Sequence, residues 1–223
     1  MTYTRFAIYD APSDDALAEF GATWLGWDIR TGCATDQPDV HGLDDITMTP
    51  RKYGFHGTLK PPFRLATGTD VGGLQVAVTE MAATCAPTKS GGLALTTLGG
   101  FLALIPTGDL SGLERVAGAC VRALDPFRAP QSKADLIRRR KAGLSARQET
   151  LMLRWGYPYV MEEFRFHLTL SARMPDQDRA QWFQTAQANL PPLNEIYAID
   201  SIALCGERAD GRFELIQRYA LTG

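Results

Sequence analysis

Phe55-His56-Gly57-Thr58-Leu59 and Phe166-His167-Leu168-Thr169-Leu170 are two copies of one pattern, Phe-His-x-Thr-Leu, and their histidines stand 111 positions apart in a chain of 223 residues. Each copy lies in a short aromatic-rich segment, residues 53–60 and 164–171. Both segments are too short for a stable helix and read as strands, the first stopped by Pro61-Pro62. A helix is predicted after each, over 70–84 and over 176–190. A hairpin then follows in each half. The first pairs 93–97 with 101–105 around Leu98-Gly99-Gly100, and the second pairs 199–205 with 213–219 around Asp210-Gly211.

The order is therefore strand, helix, hairpin, twice over. A repeat of about half the chain exceeds the roughly 20–50 residues of a solenoid and instead predicts two related α+β lobes in one bilobal domain over 1–223, with lobe exchange around 107–160. Further helices are expected over 13–27, with Ser13 as N-cap and Asp14 and Asp15 in the first turn, over 110–124, and over 144–155.

Composition excludes several classes. The chain is 45% hydrophobic and 22% charged, and no stretch nears the ~20 apolar residues needed to span a bilayer. The first ten residues lack a secretory pattern, so a cytoplasmic protein without membrane contact is expected. Cys33, Cys85, Cys120 and Cys205 have no zinc-type spacing and are expected to be reduced core residues. Net charge is only −2, but residues 122–154 hold nine basic residues against three acidic. The centre of that segment, Arg138-Arg139-Arg140-Lys141, reads first as the solvated face of a helix, with an anion track or a lid as alternatives.

Side chains alternate across a strand, which places His56 with Thr58, and His167 with Thr169, on one face. By the same parity Lys60 joins the first pair and Arg165 the second. This inventory suits phosphoryl transfer: one imidazole accepts a proton, the other donates one, and hydroxyls and cations hold the phosphate between them. The competing account keeps both histidines for packing in a duplicated fold. Against it, two of only three histidines in the chain share the full five-residue pattern. The third, His41, lies in an acidic loop and reads as a surface residue. No carboxylate cluster or further histidine beside either motif completes a metal site, and no Gly-x-x-x-x-Gly-Lys-Ser/Thr loop supports ATP use.

The two tetrads resemble the two-histidine (2H) phosphoesterase superfamily, which is defined by paired His-x-Thr/Ser motifs. Arg5-Phe6-Ala7-Ile8-Tyr9-Asp10-Ala11-Pro12, with residues 53–63 and 157–171, is more narrowly similar to a bacterial branch encoded among phosphonate-utilisation genes. The resemblance implies a bilobal fold with antiparallel sheets lining a cleft and helices outside, and no metal or other cofactor. It implies hydrolysis of a small cyclic phosphodiester, or of 2′,5′-linked or 3′-end RNA, with ligation in some members. For the branch it implies a link to carbon–phosphorus bond cleavage, whose pathway passes through a ribose 1,2-cyclic phosphate.

The expected site has His56 and His167 as catalysts and Thr58, Thr169, Lys60, Arg165 and Tyr9 as substrate contacts, with the partner a small phosphorylated molecule. A nucleic-acid substrate is disfavoured by the acidic net charge. A non-catalytic phosphometabolite binder or accessory protein of phosphonate utilisation is the rival from another class, and it would not need two acid–base groups.

Overall fold

The structure, a computed structural model, describes residues 2–12, 15–141 and 143–223. The first half contains β1 (Phe6–Asp10), α1 (Asp15–Leu25), a ribbon of β2 (Trp27–Asp28) and β3 (Cys33–Ala34), and α2 (Leu43–Arg51). It continues with β4 (Gly57–Phe63), α3 (Val71–Ala83), β5 (Thr88–Gly91), β6 (Leu93–Leu98), β7 (Phe101–Pro106) and α4 (Ser111–Ala123). Two helices, α5 (Lys133–Arg140) and α6 (Ala146–Trp155), lead to β8 (Leu168–Thr169), α7 (Asp176–Asn189), β9 (Ile196–Ile199), β10 (Ser201–Glu207) and β11 (Phe213–Ala220). The predicted cap at Ser13 and the Asp14 position lie outside the described residues, as does the side chain of Asp15. Among the described residues no helix is long and apolar enough to cross a membrane.

Seven strands form one antiparallel sheet in the order β11-β10-β1-β4-β8-β7-β6. The two motif strands, β4 and β8, are neighbours at its middle, joined where Gly57 lies opposite Leu168. The repeated order strand, helix, hairpin is present in both halves, and β5 and β9, which precede the hairpins, pair with each other. Each hairpin crosses over: β6–β7 lies beside β8, and β10–β11 lies on the β4 side. The correspondence departs at β1, which is interposed between β4 and β10 and has no counterpart beside β8.

Helix periodicity accounts for the main core. Leu74, Val78 and Met81 of α3, and Leu113, Val116 and Cys120 of α4, are buried with Trp24 of α1 against Ile8, Leu59, Leu168 and Leu204 of the sheet. Each such side chain contributes about 1.5–3 kcal/mol when fully withdrawn from water. Helix N-termini are capped by side chains at Asp70, which accepts from the Gly73 amide, and at Ser145, which forms a capping box with Gln148. The cysteines are free; Cys120 and Cys205 are in the core, but Cys33 is exposed, against expectation, on the edge ribbon.

Two strand expectations need correction. Proline does not stop β4, which runs through Pro61-Pro62 to Phe63, because the prolines sit where its ladder to β1 is irregular and need no donor there. The second motif strand is far shorter than residues 164–171: only Leu168–Thr169 is paired, and a 3₁₀ turn at Met161–Glu163 precedes it.

The irregularity in β4 also displaces Lys60. Tyr9 lies opposite Thr58 but Ile8 lies opposite Lys60, so one residue is bulged and the parity reverses beyond it. Leu59 and Lys60 both enter the core, and Lys60 is 2% exposed. Its ammonium donates to the Val121 carbonyl at 3.1 Å, stands 4.0 Å from Asp125 and lies over the Phe63 ring. Burial lowers its pKa from 10.5 to about 8, which corresponds to a cost of about 3 kcal/mol for keeping it charged. That cost is full below pH 8 and is relieved as pH rises toward 10.5, because only the unfolded chain then stays protonated. Asp125 keeps Arg128 at 2.8 Å without it. Lys60→Met is therefore expected to stabilise the fold at pH 7 by about 1–3 kcal/mol, with the gain shrinking toward pH 10. Urea midpoints at the two pH values test this, and a less stable variant at pH 7 would refute it.

Candidate active site

The register at Gly57–Leu168 sets the geometry. Gly57 and Leu168 are the residues between histidine and threonine in the two motifs, so their pairing sets the motifs side by side and antiparallel. Phe55, Leu59, Phe166, Leu168 and Leu170 all point into the core.

Both rings are oriented alike. His56 Nδ1 is 2.9 Å from the Gly54 carbonyl, and His167 Nδ1 is 2.7 Å from the Arg165 carbonyl, in each case two residues upstream. A carbonyl only accepts, so Nδ1 carries the hydrogen and Nε2 of the neutral ring is the free base. Gly54 has φ +69 and a Cβ there would lie 2.6 Å from Ile29, so glycine is required for the turn that aims this carbonyl. His56 Nε2 is 3.0 Å from Thr58 Oγ1.

Their surroundings differ. The Tyr9 ring stacks on His56 at 3.7 Å and 26°, and Tyr53 flanks it at 6.3 Å. Burial lowers the His56 pKa to about 4; the Gly54 hydrogen bond opposes this and the charge of His167 adds to it. His167, beside Phe101 at 5.6 Å, is also lowered by burial, against its bond to Arg165. The Tyr9 hydroxyl is inaccessible and has no hydrogen-bond partner among the described residues.

Two cavities meet at His56 and Thr169. One, of 260 Å³, runs past Tyr53, Phe101 and Ser171. The other, of 560 Å³, also takes in Thr58 and Tyr9, and its far wall carries Arg5, Arg138, Arg139 and Tyr157. Among the described residues no group of three or more His, Cys, Asp or Glu is placed to hold a metal ion.

Of the seven predicted site residues, His56, Thr58, Thr169 and Tyr9 line this larger cavity, and His167 stands beside it on the same face. Lys60 is in the core instead, through the bulge. Arg165 is exposed and folds back to donate to the Phe164 carbonyl at 2.8 Å and the Glu162 carbonyl at 3.4 Å, so the turn before β8 takes its charge. Sequence reasoning passed over Arg5 and Tyr53, although Arg5 shares the strand parity of Tyr9. It also read Arg138 and Arg139 as a solvated face, because a helix pattern shows which residues share a face and not what that face approaches.

The chain belongs to the DUF1045 family, a family of proteins of unknown function whose sequence model matches residues 58–214. It is 36% identical over 241 residues to a protein of Janthinobacterium sp. (strain Marseille) named ribose 1,5-bisphosphate phosphokinase PhnN, with 99% of this chain and 51% of that protein covered. A protein of the same name from Laribacter hongkongensis (strain HLHK9) is 35% identical over 188 residues, covering 83% of this chain and 44% of its own length. The chain thus spans about half the length of the curated relatives it matches. In fold it is similar to the Thermus thermophilus protein TT0787, with a TM-score of 0.51 at 11% identity over 98% of both chains. Escherichia coli LigT complexed with 3′-AMP aligns over 100% of both chains with a TM-score of 0.44 at 16% identity.

Proposed function

We propose that the chain is a two-histidine phosphoesterase that hydrolyses a small cyclic phosphodiester without a metal. The observation that carries the reading is the pairing of the two motifs at Gly57 and Leu168, with both Nδ1 atoms held by backbone carbonyls so that each Nε2, that of His56 resting on Thr58, is the nitrogen left to act on a phosphate. His56, the ring driven harder toward neutrality, is the base: its Nε2 takes a proton from water as the water oxygen bonds to phosphorus. His167 in its protonated form gives the Nε2 proton to the departing ring oxygen, leaving a phosphomonoester and a hydroxyl. Thr169 donates to one non-bridging oxygen, and Thr58, whose hydroxyl donates to His56 Nε2 in the free site, turns to another when the attacking water takes its place on that nitrogen. The name of the half-matched relatives supports a phosphorylated ribose as substrate and a place in phosphonate metabolism. The kinase activity in that name has no support in this chain, which contains no Gly-x-x-x-x-Gly-Lys-Ser/Thr loop.

The test is phosphorus NMR of the protein in EDTA with ribose 1,2-cyclic phosphate 5-phosphate, 2′,3′-cyclic nucleotides and a 2′,5′-linked dinucleotide. Opening of a cyclic diester is expected. Sole turnover of the dinucleotide would favour an RNA phosphodiesterase, and ligand binding with no turnover a phosphometabolite binder. The pH profile of kcat/KM is expected to be bell-shaped, rising as His56 loses its proton near pH 4 and falling below pH 6.5 as His167 loses its own. A rate that keeps rising through pH 8 would contradict these roles.

A further inference from the structure

Arg139, in the last turn of α5, is a half-buried guanidinium whose Nε is inaccessible and has no hydrogen-bond partner among the described residues. Its charge lies over the Tyr157 ring at 4.7 Å. Burial lowers its pKa; Tyr157 and Asp135 oppose this, and the like charges of Arg138 and Arg5 add to it. Those two neighbours are neutralised from behind, Arg5 by Glu207 and Arg138 by Asp135 at 2.6 Å. All three arginines line the 560 Å³ cavity that reaches His56, Thr58 and Thr169, and no carboxylate lines it. A planar fork of donors, partly desolvated and crowded by like charge, is the surface that a phosphate relieves.

We propose that Arg139, flanked by Arg5 and Arg138 and backed by Tyr157, forms a second anion site for a phosphomonoester group carried by the substrate. That the phosphomonoester belongs to a substrate rests on the phosphoesterase reading; the anion site does not. The substrate is then a small molecule bearing two phosphates, one in the diester at the histidines and one as a dianion on the arginines. A nucleic-acid track is a poorer fit. Arg128, Arg140 and Arg147 of the same basic segment are paired with Asp125, Glu149 and Glu162, which takes up part of the charge that a track along the segment would use.

The experiment is calorimetric binding of adenosine 2′,3′-cyclic phosphate with and without a 5′-phosphate. The protein carries His56→Ala and His167→Ala so that neither probe is consumed. The 5′-phosphate is expected to tighten binding about ten- to hundredfold, and Arg139→Gln to shrink that advantage to about twofold. Arg5→Gln serves as the second variant, and circular dichroism checks each fold. Equal affinities, no measurable binding of either probe at millimolar concentration, or an advantage that survives both variants would overturn the proposal. So would a single-stranded RNA dodecamer that outcompetes the phosphorylated probe. A preference for the phosphorylated probe without turnover in the intact protein would sink the hydrolase reading alone; turnover without preference would sink the second site alone.

Discussion

His56→Ala and His167→Ala are each expected to lower kcat on a cyclic phosphodiester by about 10²–10⁴-fold, the range that a positioned general acid or base supplies. The double variant should fall little below the worse single one, since the two rings act on one proton inventory. Their roles separate on a diester with a p-nitrophenolate leaving group, which departs without a proton. There the His167→Ala deficit should largely disappear and the His56→Ala deficit should persist. Circular dichroism checks that each variant keeps its fold, His56→Ala above all, since that ring stacks on Tyr9. Normal turnover in either single variant would end the two-histidine scheme, and equal rescue of both would end the assignment of roles.

Gly57→Ala should damage both stability and turnover. A Cβ at residue 57 would lie 2.1 Å from Phe166 Cζ and 2.2 Å from Cε2, inside the distance at which real atoms coexist. The ring of one motif is seated on the bare backbone of the other. Displacing it is expected to cost about 3 kcal/mol, the upper end for overpacking, because pairing to β1 and β8 holds the strand on both sides. Turnover should fall with stability, since Phe166 immediately precedes His167. In a Phe166→Leu background the same substitution meets a smaller side chain, and the two changes should couple by about 1 kcal/mol or more. Additive effects in urea titrations would show that the ring is not the obstacle.

This contact also shows what the sequence made legible. The paired motifs identified His56, Thr58, His167 and Thr169, and strand parity placed them on a face opposite Phe55, Phe166, Leu168 and Leu170. The x of the pattern, Gly57 in one copy and Leu168 in the other, looked free, and only their pairing explains why the first lacks a side chain. Lys60 was misplaced because parity survives only while a ladder is regular, and a bulge leaves no mark in a single sequence. Arg165 was misplaced because its guanidinium is taken by carbonyls of a turn that the strand reading did not include. Arg5, just before β1, and Arg138 and Arg139 of α5 line one cavity from places far apart in the chain, where local periodicity carries no information.

The brevity of β8 has a consequence for how protons are handled here. Ladder bonds between β4 and β8 centre on one residue pair, and the Gly54 and Arg165 carbonyls fall outside it. Longer pairing would draw such carbonyls into interstrand bonds, and the imidazoles would lose the acceptors that fix their tautomers. The sheet is unfinished at its centre, and the acceptors it leaves over decide which nitrogen of each ring meets the substrate.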